Sequence, residues 1–486
     1  MNESKRKELI NSLTGILGKE YVAYDAATLD IYSRDMTPHA PGLPDVVVMP
    51  ETVKEIQEII KLANKDKVPV VPHVAGSTLG GLTIPNKGGI VVDLKRMNRI
   101  IEVDEENMYA VIEPGVTFPD LQYYLDHNHP NLRFGIAYAP SGSSVIANYL
   151  LGGMGDLMVK GGDHQKMING IEAVLPTGET LRTGSICMSN EWLGRYSIPD
   201  FCDLFVNWKG ASGIVTKASI QLWPKYPFRD FYGVEIYDID DFYEVAGSLA
   251  RADISEKQDG RSSVTIEVHF MMYKLGAKTL PWEFLLIHAI SAPTKVLYDA
   301  KVETLEQVVK DLQRKGIKVE ISEEFTKSDN VREESQMPTG GNVVTWLDYS
   351  RKGRTEPPTG GGGTWVGSYF SLRDYAEGYK SAKKLFEKHG FPPMINSRTI
   401  GPGRYATMRC IIPYNKRDAE EVKAARDLME DLARDKIEKK TLIYKAPSWA
   451  SEMMMEQADP GYVSFLKRMK RFLDPNDIMN PGKLGF

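Results

Sequence analysis

The apolar residues within 45–72 form two short continuous runs, and between these runs they recur at helical spacing. PDVVVMP (44–50) and VPVVP (68–72) are short runs rich in β-branched residues, which is typical of strands. Between them, Thr52 and Glu55 have the spacing of a capping box, and apolar residues then recur at helical intervals. The pattern predicts strand, helix, strand, with the apolar stripe of the helix formed by Val53, Ile56, Ile59, Ile60 and Ala63.

Short strands continue as far as Pro224. Residues 121–128 (LQYYLDHN) form a predicted helix that Thr117 and Asp120 can cap, and residues 171–184 form a predicted hairpin with a Pro-Thr-Gly turn. The other predicted strands are GGIVVDL (88–94), IIEVD (100–104), YAVIE (109–113) and GIVTKASIQLWP (213–224).

The character of the chain changes after Pro224. Strands and helices are mixed there without a regular βαβ period, which predicts an α+β region with an antiparallel sheet. Residues 324–364, rich in Gly, Pro and charge, form a long loop of the kind that is functional or disordered. The predicted strands are 231–238, 263–271 and 282–290, and the predicted helices are 296–315, 371–389 and 416–438.

Composition excludes several classes of function. The 486 residues exceed what one core usually supports, and the net charge of −5 gives no electrostatic case for nucleic-acid binding. No apolar run has the length of a secretory signal or a membrane helix. The separated residues Cys187, Cys202 and Cys410 do not suggest disulfides or an iron–sulfur cluster, and the eight histidines form no metal-binding cluster. We therefore expect a cytoplasmic, metal-free protein.

Three Gly-rich loops lie within one span of about 90 residues. The first, residues 76–81, follows a predicted strand, where backbone N–H groups can face a diphosphate. Its spacing matches neither a P-loop nor a Rossmann fingerprint, and alone it would be a tight surface turn. Because residues 140–148 and 161–164 provide two more such loops, the set predicts a site that wraps an extended diphosphate.

Five motifs in order carry a resemblance to a known family. They are VPVVPHVAGSTLGGLTIPNKGGIVVDLKRMNRI (68–100), IEPGVTFPDL (112–121), GGDHQKMINGIEAVLPTGETLRTG (161–184), GASGIVTKASIQLWP (210–224) and LDPNDIMNPGKLG (473–485). Together they resemble the FAD-linked oxidase superfamily, which includes vanillyl-alcohol oxidase, p-cresol methylhydroxylase and the glycolate oxidase D subunit with its D-lactate dehydrogenase relatives. The resemblance covers roughly half of the chain.

The resemblance implies an α+β fold: a two-subdomain PCMH-type FAD-binding domain over 1–225 and an antiparallel-sheet cap domain over 226–440. Residues 441–486 would return to the FAD domain. It also implies non-covalent FAD, because Trp365 occupies the position at which some members attach the cofactor. The implied cofactor-binding residues are Gly76, Ser77, Thr78, Leu79, Gly80, Pro140, Ser141, Gly142, Ser144, Asn148, Asp163, His164, Ile214, Val215, Asn480 and Lys483.

The chain departs from both branches of the superfamily. The metal-binding motifs H-x-G-D-G-N-x-H and E-H-G-x-G of the hydroxyacid branch are absent. The tail LIYKAPSWASEMMMEQ (442–457) resembles the vanillyl-alcohol oxidase branch, with Tyr444-Lys445 where that branch has a Tyr-Arg pair. That branch also has a tyrosine in its first Gly loop and an aspartate beside the flavin, where this chain has no tyrosine and Pro140-Ser141.

Five residues are candidates for the chemistry. Tyr444 with Lys445 can supply a base, because a neighbouring cation favours the ionised phenol. Arg398 and Arg404 can clamp a carboxylate, and since Arg404 and Arg409 have opposite parity in one strand, at most one of these two faces the site. His164 is a further candidate base. For each of them the alternative is structural: a packed interface, a surface salt bridge or a contact with the flavin.

Three functions remain open at this point. The first is an FAD-dependent oxidase or dehydrogenase that takes a hydride from an alcohol or a benzylic or phenolic carbon. The second is a D-2-hydroxyacid dehydrogenase of the glycolate or D-lactate type. The third is a flavin subunit of a larger electron-transfer complex, with an external acceptor protein as partner. A small-molecule substrate and a homodimer are further expectations from the resemblance, and membrane insertion is not expected.

Overall fold

The computed structural model describes residues 1–78, 80–195, 199–272, 279–327, 349–350, 353–354 and 361–486. Most of the predicted loop at 324–364 lies outside these ranges. In the described part of the chain, no helix combines the length and the apolar character needed to cross a membrane.

The first sheet lies near the N-terminus and is covered by three helices. Its strands run in the order β1-β2-β4-β3, with β2, β3 and β4 parallel. The strands are β1 (Val22–Ala23), β2 (Val46–Val48), β3 (Val70–His73) and β4 (Ile90–Asp93), and the helices are α1 (Glu3–Leu17), α2 (Ala26–Tyr32) and α3 (Val53–Asp66).

The start of α3 confirms the predicted capping box. Thr52 accepts a hydrogen bond from the Glu55 amide at 3.2 Å, and the Glu55 carboxylate accepts one from the Thr52 amide at 3.0 Å. These bonds satisfy amide groups that would lack partners at a helix N-terminus. The predicted stripe Ile56, Ile59 and Ile60 is fully buried against the first sheet.

The second sheet is antiparallel, in the order β5-β6-β10-β8-β9. Thr117 caps the helix that follows β6, as predicted. The strands are β5 (Ile100–Asp104), β6 (Tyr109–Ile112), β8 (Ile168–Val174), β9 (Thr180–Gly184) and β10 (Ile214–Gln221), while β7 (Leu132–Arg133) pairs with β11 (Trp223–Pro224). The helices are α4 (Phe118–Asn128), α5 (Val145–Leu150) and α6 (Met158–Gly161).

The third sheet has eight antiparallel strands in the order β15-β12-β14-β13-β19-β20-β18-β21. They are β12 (Phe228–Ile236), β13 (Lys257–Ser262), β14 (Phe284–Ala292), β15 (Val319–Ser322), β18 (Gly361–Phe370), β19 (Met394–Ile400), β20 (Tyr405–Asn415) and β21 (Leu442–Tyr444), with a separate hairpin of β16 (Tyr349–Ser350) and β17 (Gly353–Arg354).

Four helices cover one face of the eight-stranded sheet and enclose the largest apolar core. They are α7 (Phe242–Arg251), α9 (Lys295–Arg314), α10 (Tyr375–His389) and α11 (Ala419–Glu438), and the remaining helices are α8 (Ser263–Met272), α12 (Ser448–Gln457) and α13 (Pro460–Leu473). The C-terminal tail returns to the first sheet, where the Asn480 amide donates to the Val70 carbonyl at 2.8 Å. The predicted division at 225 and 440 stays a prediction.

The strand predicted at 263–271 is wrong, because this segment is the helix α8. Ser262 accepts a hydrogen bond from the Thr265 amide at 3.3 Å, which stabilises the first turn of the helix. The strand of the eight-stranded sheet in this part of the chain is β13, which directly precedes α8. Its sequence KQDGRS has none of the residues that favour strands. Tertiary packing therefore overrides the local preference of both segments.

Buried ion pairs connect β7 and the turn at Asp156 to the eight-stranded sheet. Arg133 donates two hydrogen bonds to Glu256, and Arg229 Nε lies 2.8 Å from the same carboxylate. Arg229 also pairs with Asp156 at 3.1 Å. Burial favours a neutral Glu256, but Arg133 and Arg229 outweigh it and hold the pKa of this carboxyl well below its usual range.

Replacing Glu256 with Gln should destabilise the fold strongly. The change leaves Arg133 and Arg229 buried without their common carboxylate, which costs about 3–5 kcal/mol. Urea unfolding would measure the loss in the free energy of unfolding. Asp299→Asn, which breaks an exposed pair with Lys295, is the matched control and should change it by less than about 1 kcal/mol. An equal, small effect of the two changes would contradict this account.

Candidate active site

One cavity lies between the Gly-rich loops and the eight-stranded sheet. The loop after β3, the segment before α5, the segment before β10 and the tail form one side of it. One face of β13, β19 and β20, together with Trp365 of β18, forms the other side. The cavity therefore joins elements that are far apart in the sequence.

The first Gly loop lines the cavity with Gly76, Ser77 and Thr78. Gly76 has φ 62°, a left-handed conformation that glycine adopts readily. Among the described residues, no acceptor pairs with the amide groups of these three residues, so they remain able to bind a ligand. The predicted residue Leu79 lies outside the described residues.

Gly80 brings the first loop against the tail. A Cβ atom at this position would lie 2.2 Å from the Lys445 carbonyl oxygen, which is far inside van der Waals contact. Glycine is therefore required where the loop passes Lys445. Lys483 Nζ donates to the Gly81 carbonyl at 2.9 Å and holds the same turn from the other side.

The second Gly-rich stretch contributes Pro140, Ser144 and Asn148 to the cavity lining. Ser143 also lines it, and its hydroxyl lies 2.8 Å from that of Ser77, so the first two loops are in contact. The predicted residues Ser141 and Gly142 are exposed and do not belong to the lining.

The remaining predicted cofactor residues divide between the lining and the core. Val215 and Asn480 line the cavity, whereas Ile214 packs in the core of the first sheet. Asp163 and His164 are buried outside the lining. Burial raises the pKa of Asp163 to about 6 and lowers the pKa of His164 to about 4.

The loop side of the cavity fits FAD. Thr78 Oγ1, Asn148 Oδ1 and Ser212 Oγ are buried side-chain atoms of the lining without a partner among the described residues. Buried polar atoms in proteins are almost always hydrogen-bonded, so these three atoms indicate a polar ligand. The free amides of the first loop could hold the diphosphate, because backbone N–H groups bind anions.

The opposite wall carries a row of polar residues set by the strand register. Arg261 of β13 is paired with Asn396 of β19, which is paired with Arg409 of β20, and all three line the cavity. Cross-strand partners share a face of the sheet. The register therefore places the side-chain amide of Asn396 between two guanidinium groups, one on each side.

Arg398 lies in the next row and also lines the cavity. Its Nε forms a buried ion pair with Asp259 Oδ1 at 2.8 Å. Since Arg398 is paired with Thr407 in the register, it shares a face with Arg409 and not with Arg404. Arg404 precedes β20, is exposed and lies outside the lining, so the structure does not bring it to the cavity.

The structure shows no hydrogen bond between Tyr444 and Lys445 among the described residues, and their predicted role as a pair stays a prediction. The Tyr444 hydroxyl accepts a hydrogen bond from Arg409 Nε at 2.6 Å, and its ring packs on Trp365 outside the lining. Burial raises the pKa of Tyr444 to about 12, and Arg409 only partly opposes this effect. Lys445 lines the cavity, and burial, with a smaller contribution from Arg409, lowers the pKa of its amine to about 7.

His164 is buried outside the lining of the cavity. Its ring contacts Tyr149 with the ring centroids 4.7 Å apart, and its Nε2 lies 3.2 Å from the Asp156 carbonyl oxygen. The side chain is fully buried. This position agrees with the structural alternative for His164 and gives it no direct route to a ligand in the cavity.

Several residues of the site were not predicted. Tyr138, Arg261 and Asn396 line the cavity, and Lys257 and Asp259 lie on the same face of β13 as Arg261. A signal was present in the sequence, because the ionisable residues of KQDGR (257–261) alternate with small or neutral ones. A period of two is that of a strand with one charged face.

Comparison with known proteins agrees with this geometry. The family described as FAD binding domain matches residues 44–184, and the C-terminal domain of FAD linked oxidases matches residues 449–484. Glycolate oxidase subunit GlcD of Bacillus subtilis is 33% identical over 45% of this chain and 45% of its own length. The 4-cresol dehydrogenase (hydroxylating) flavoprotein subunit of Pseudomonas putida is 26% identical over 100% of this chain and 96% of its own.

Solved structures share the whole architecture. The structure of p-cresol methylhydroxylase with substrate bound superposes with a TM-score of 0.87 at 21% identity, covering 100% of this chain and 98% of that chain. The complex of 4-ethylphenol oxidase from Gulosibacter chungangensis with isoeugenol superposes with a TM-score of 0.85 at 23% identity, covering 100% and 98%. The predicted fold class is confirmed.

The FAD-binding region, the tail and the fold together define a class of flavoprotein. The matches to its FAD-binding region and its tail support the predicted FAD-linked oxidase superfamily, and the matched family and relatives are FAD-dependent oxidoreductases. FAD as the cofactor is confirmed, and non-covalent attachment stays a prediction.

Replacing Gly80 with Ala should cost the protein most of its FAD. The new Cβ would collide with the Lys445 carbonyl and displace the first loop from the cavity. The ratio of visible flavin absorbance to protein absorbance measures the cofactor content. Gly15→Ala, in α1, is the matched control, since its Cβ meets nothing within 4 Å. Full FAD content in Gly80→Ala would show that the loop does not hold the cofactor.

Proposed function

We propose that this protein oxidises an alcohol or benzylic carbon of a small anionic substrate bound between FAD and the cationic wall of the cavity. The observation that carries the proposal is the row Arg261–Asn396–Arg409, which faces the same cavity as the Gly-rich loops. When bound, FAD supplies the acceptor for the hydride of the oxidised carbon.

The charge balance of this wall favours an anion. Arg398 is compensated by Asp259, whereas Arg409 and Lys445 have no carboxylate partner among the residues that the structure describes. Arg409 Nε donates a hydrogen bond to the Tyr444 hydroxyl, which leaves the other N–H groups of its guanidinium for a ligand. Because an uncompensated buried charge is costly, a bound carboxylate or phenolate would stabilise the Arg409 guanidinium and the protonated form of Lys445.

Lys445 is the group best placed to accept the proton of a substrate hydroxyl. Its side chain lines the cavity, and with a pKa of about 7 much of its amine is neutral near neutral pH. A neutral amine within a water-poor site is a proton acceptor suited to this pH range. Tyr444 then acts through Arg409, by holding the guanidinium against the cavity.

The two arginines favour a second candidate, oxidation of a D-2-hydroxyacid. A guanidinium binds a carboxylate with two parallel hydrogen bonds, and this wall presents Arg398 and Arg409 on one face. The metal motifs of the hydroxyacid branch are absent from the sequence, so these arginines would have to replace them.

An anaerobic visible spectrum of the FAD-loaded protein tests the proposal. One substrate pool holds 4-hydroxybenzyl alcohols and alkylphenols, and the other holds D-lactate, glycolate and D-2-hydroxyglutarate. Bleaching of the flavin by the first pool would support the benzylic substrate, and bleaching by the second would support the hydroxyacid. A spectrum unchanged by both pools would count against the proposed function.

Replacing Lys445 with Met should abolish most turnover while FAD stays bound. The loss of a proton acceptor lowers kcat by about a hundredfold or more. Steady-state kinetics with the bleaching substrate measure the loss, and the flavin absorbance reports cofactor content. Lys440→Met is the matched control, since Lys440 is exposed and its side chain, among the described residues, bonds Gln457. Unchanged turnover in Lys445→Met would show that Lys445 is structural.

The pH profile of kcat/KM should rise through about pH 7 and then level off. Lys445 has a lowered pKa of about 7, so protonation below that value removes the acceptor and deprotonation above it restores the acceptor. The rate should fall roughly tenfold per pH unit on the acid side. A rate that falls as the pH rises through 7 would instead assign Lys445 the role of a cation.

A further inference from the structure

Tyr138 is a cavity residue that the sequence did not single out. It follows β7 in the segment that leads to the second Gly-rich stretch, and it lines the cavity with part of its surface exposed. Its side chain meets residues of the eight-stranded sheet across the cavity, which brings the loop side and the cationic wall into contact at this point.

Lys257 of β13 fixes the hydroxyl of Tyr138. The Lys257 side chain is fully buried, and its Nζ donates a hydrogen bond to the Tyr138 oxygen at 2.9 Å. The same ammonium lies 3.2 Å from Asp156 and 3.4 Å from Asp259. These two carboxylates keep Lys257 charged and in place, so its contact with Tyr138 is part of the buried ion network.

The contact with Lys257 leaves the Tyr138 hydroxyl able to donate a hydrogen bond to another group. An ammonium group can only donate, so the phenol oxygen accepts from Lys257 and its own O–H proton is left for another partner. Within the described ranges, Lys257 is the hydrogen-bond partner of this hydroxyl. The side chain therefore presents a donor at the wall of the cavity.

Two more cations surround the same phenol. The guanidinium carbon of Arg398 lies 4.9 Å from the centroid of the Tyr138 ring, and that of Arg261 lies 5.9 Å from it. Positive charge near a phenol strengthens its hydrogen-bond donation to an anionic oxygen. The surroundings therefore match an acceptor that carries negative charge.

We propose that Tyr138 is a specificity-determining residue that donates a hydrogen bond to a carboxylate oxygen of the substrate, with Lys257 as its positioning residue. The proposal rests on the proposed function in one respect, since it places the substrate against the cationic wall. It adds a neutral donor to the guanidinium groups, and this donor is supplied by the loop side of the cavity.

Binding of carboxylates that cannot be oxidised tests the proposal separately from turnover. Benzoate and pyruvate are titrated into the FAD-loaded protein, and the change in the visible flavin spectrum gives a Kd for each. The wild-type protein should bind at least one probe. Tyr138→Phe should raise that Kd about tenfold to a hundredfold, as expected for the loss of a hydrogen bond to a charged group.

A matched control and the spectrum without probe separate the alternatives. Tyr237→Phe removes a hydroxyl that bonds Glu235 and Glu320 away from the cavity, and it should leave the Kd unchanged. An unchanged Kd in Tyr138→Phe would overturn the proposal. So would a changed FAD content or spectrum in Tyr138→Phe without probe, since the hydroxyl would then serve the cofactor. A wild-type protein that responds to neither probe would also overturn it.

Variants of Lys257 test its positioning role. Lys257→Arg keeps a charged donor and should retain the wild-type Kd, whereas Lys257→Met should raise the Kd as Tyr138→Phe does. In the double variant the two effects should not add, because they act on one hydrogen bond. Full additivity would show that Lys257 acts independently of Tyr138. Absence of flavin bleaching by the substrate pools would contradict the proposed function alone, because benzoate and pyruvate report binding only.

Discussion

The buried ion pairs around Glu256 and Asp156 connect the eight-stranded sheet to β7 and to the turn at Asp156, and the pair of Asp259 with Arg398 joins β13 to β19 within the sheet. Removing charges from water costs several kcal/mol per ion, and only close partners offset that cost. Each carboxylate therefore needs its cations in place before β13 can be buried. This requirement ties Arg133 and the turn at Asp156 to the sheet, and it fixes the shape of the cavity between them.

Some of the cations near the cavity are paired with carboxylates of this network, and others are not. Lys257 and Arg398 are neutralised by Asp156 and Asp259. Arg409 stands at the cavity without a carboxylate partner among the described residues, so the electrostatic field there is positive, and Lys445 adds to it when its amine is protonated. Electrostatic interactions are strong in a partly dry site, and an anionic substrate would complete the balance. The charged residues of β13, β19 and β20 therefore both stabilise the fold and favour an anionic substrate.

The sequence predicts the Gly loops and most strands because their signals are local, as the Thr52 capping box and the buried stripe of α3 show. It fails where tertiary contacts decide the outcome. Residues 263–271 alternate in the way a strand does, but they form α8. KQDGRS (257–262) forms β13, because its charged side chains are stabilised by partners that are distant in the sequence. Parity indicates that at most one of Arg404 and Arg409 faces the site but not which one, and the structure places Arg409 at the cavity while β20 begins only after Arg404. The hydrogen bond between Lys257 and Tyr138 joins residues that are 119 positions apart, so it has no local signal.

A crystal structure of the FAD-loaded protein with bound benzoate tests the central claim most directly. FAD should occupy the loop side of the cavity, with its diphosphate against the amides of Gly76, Ser77 and Thr78. The benzoate carboxylate should lie against the opposite wall, within hydrogen-bond distance of Arg398 or Arg409. A carboxylate turned away from this wall, or a cofactor bound outside the cavity, would contradict the account.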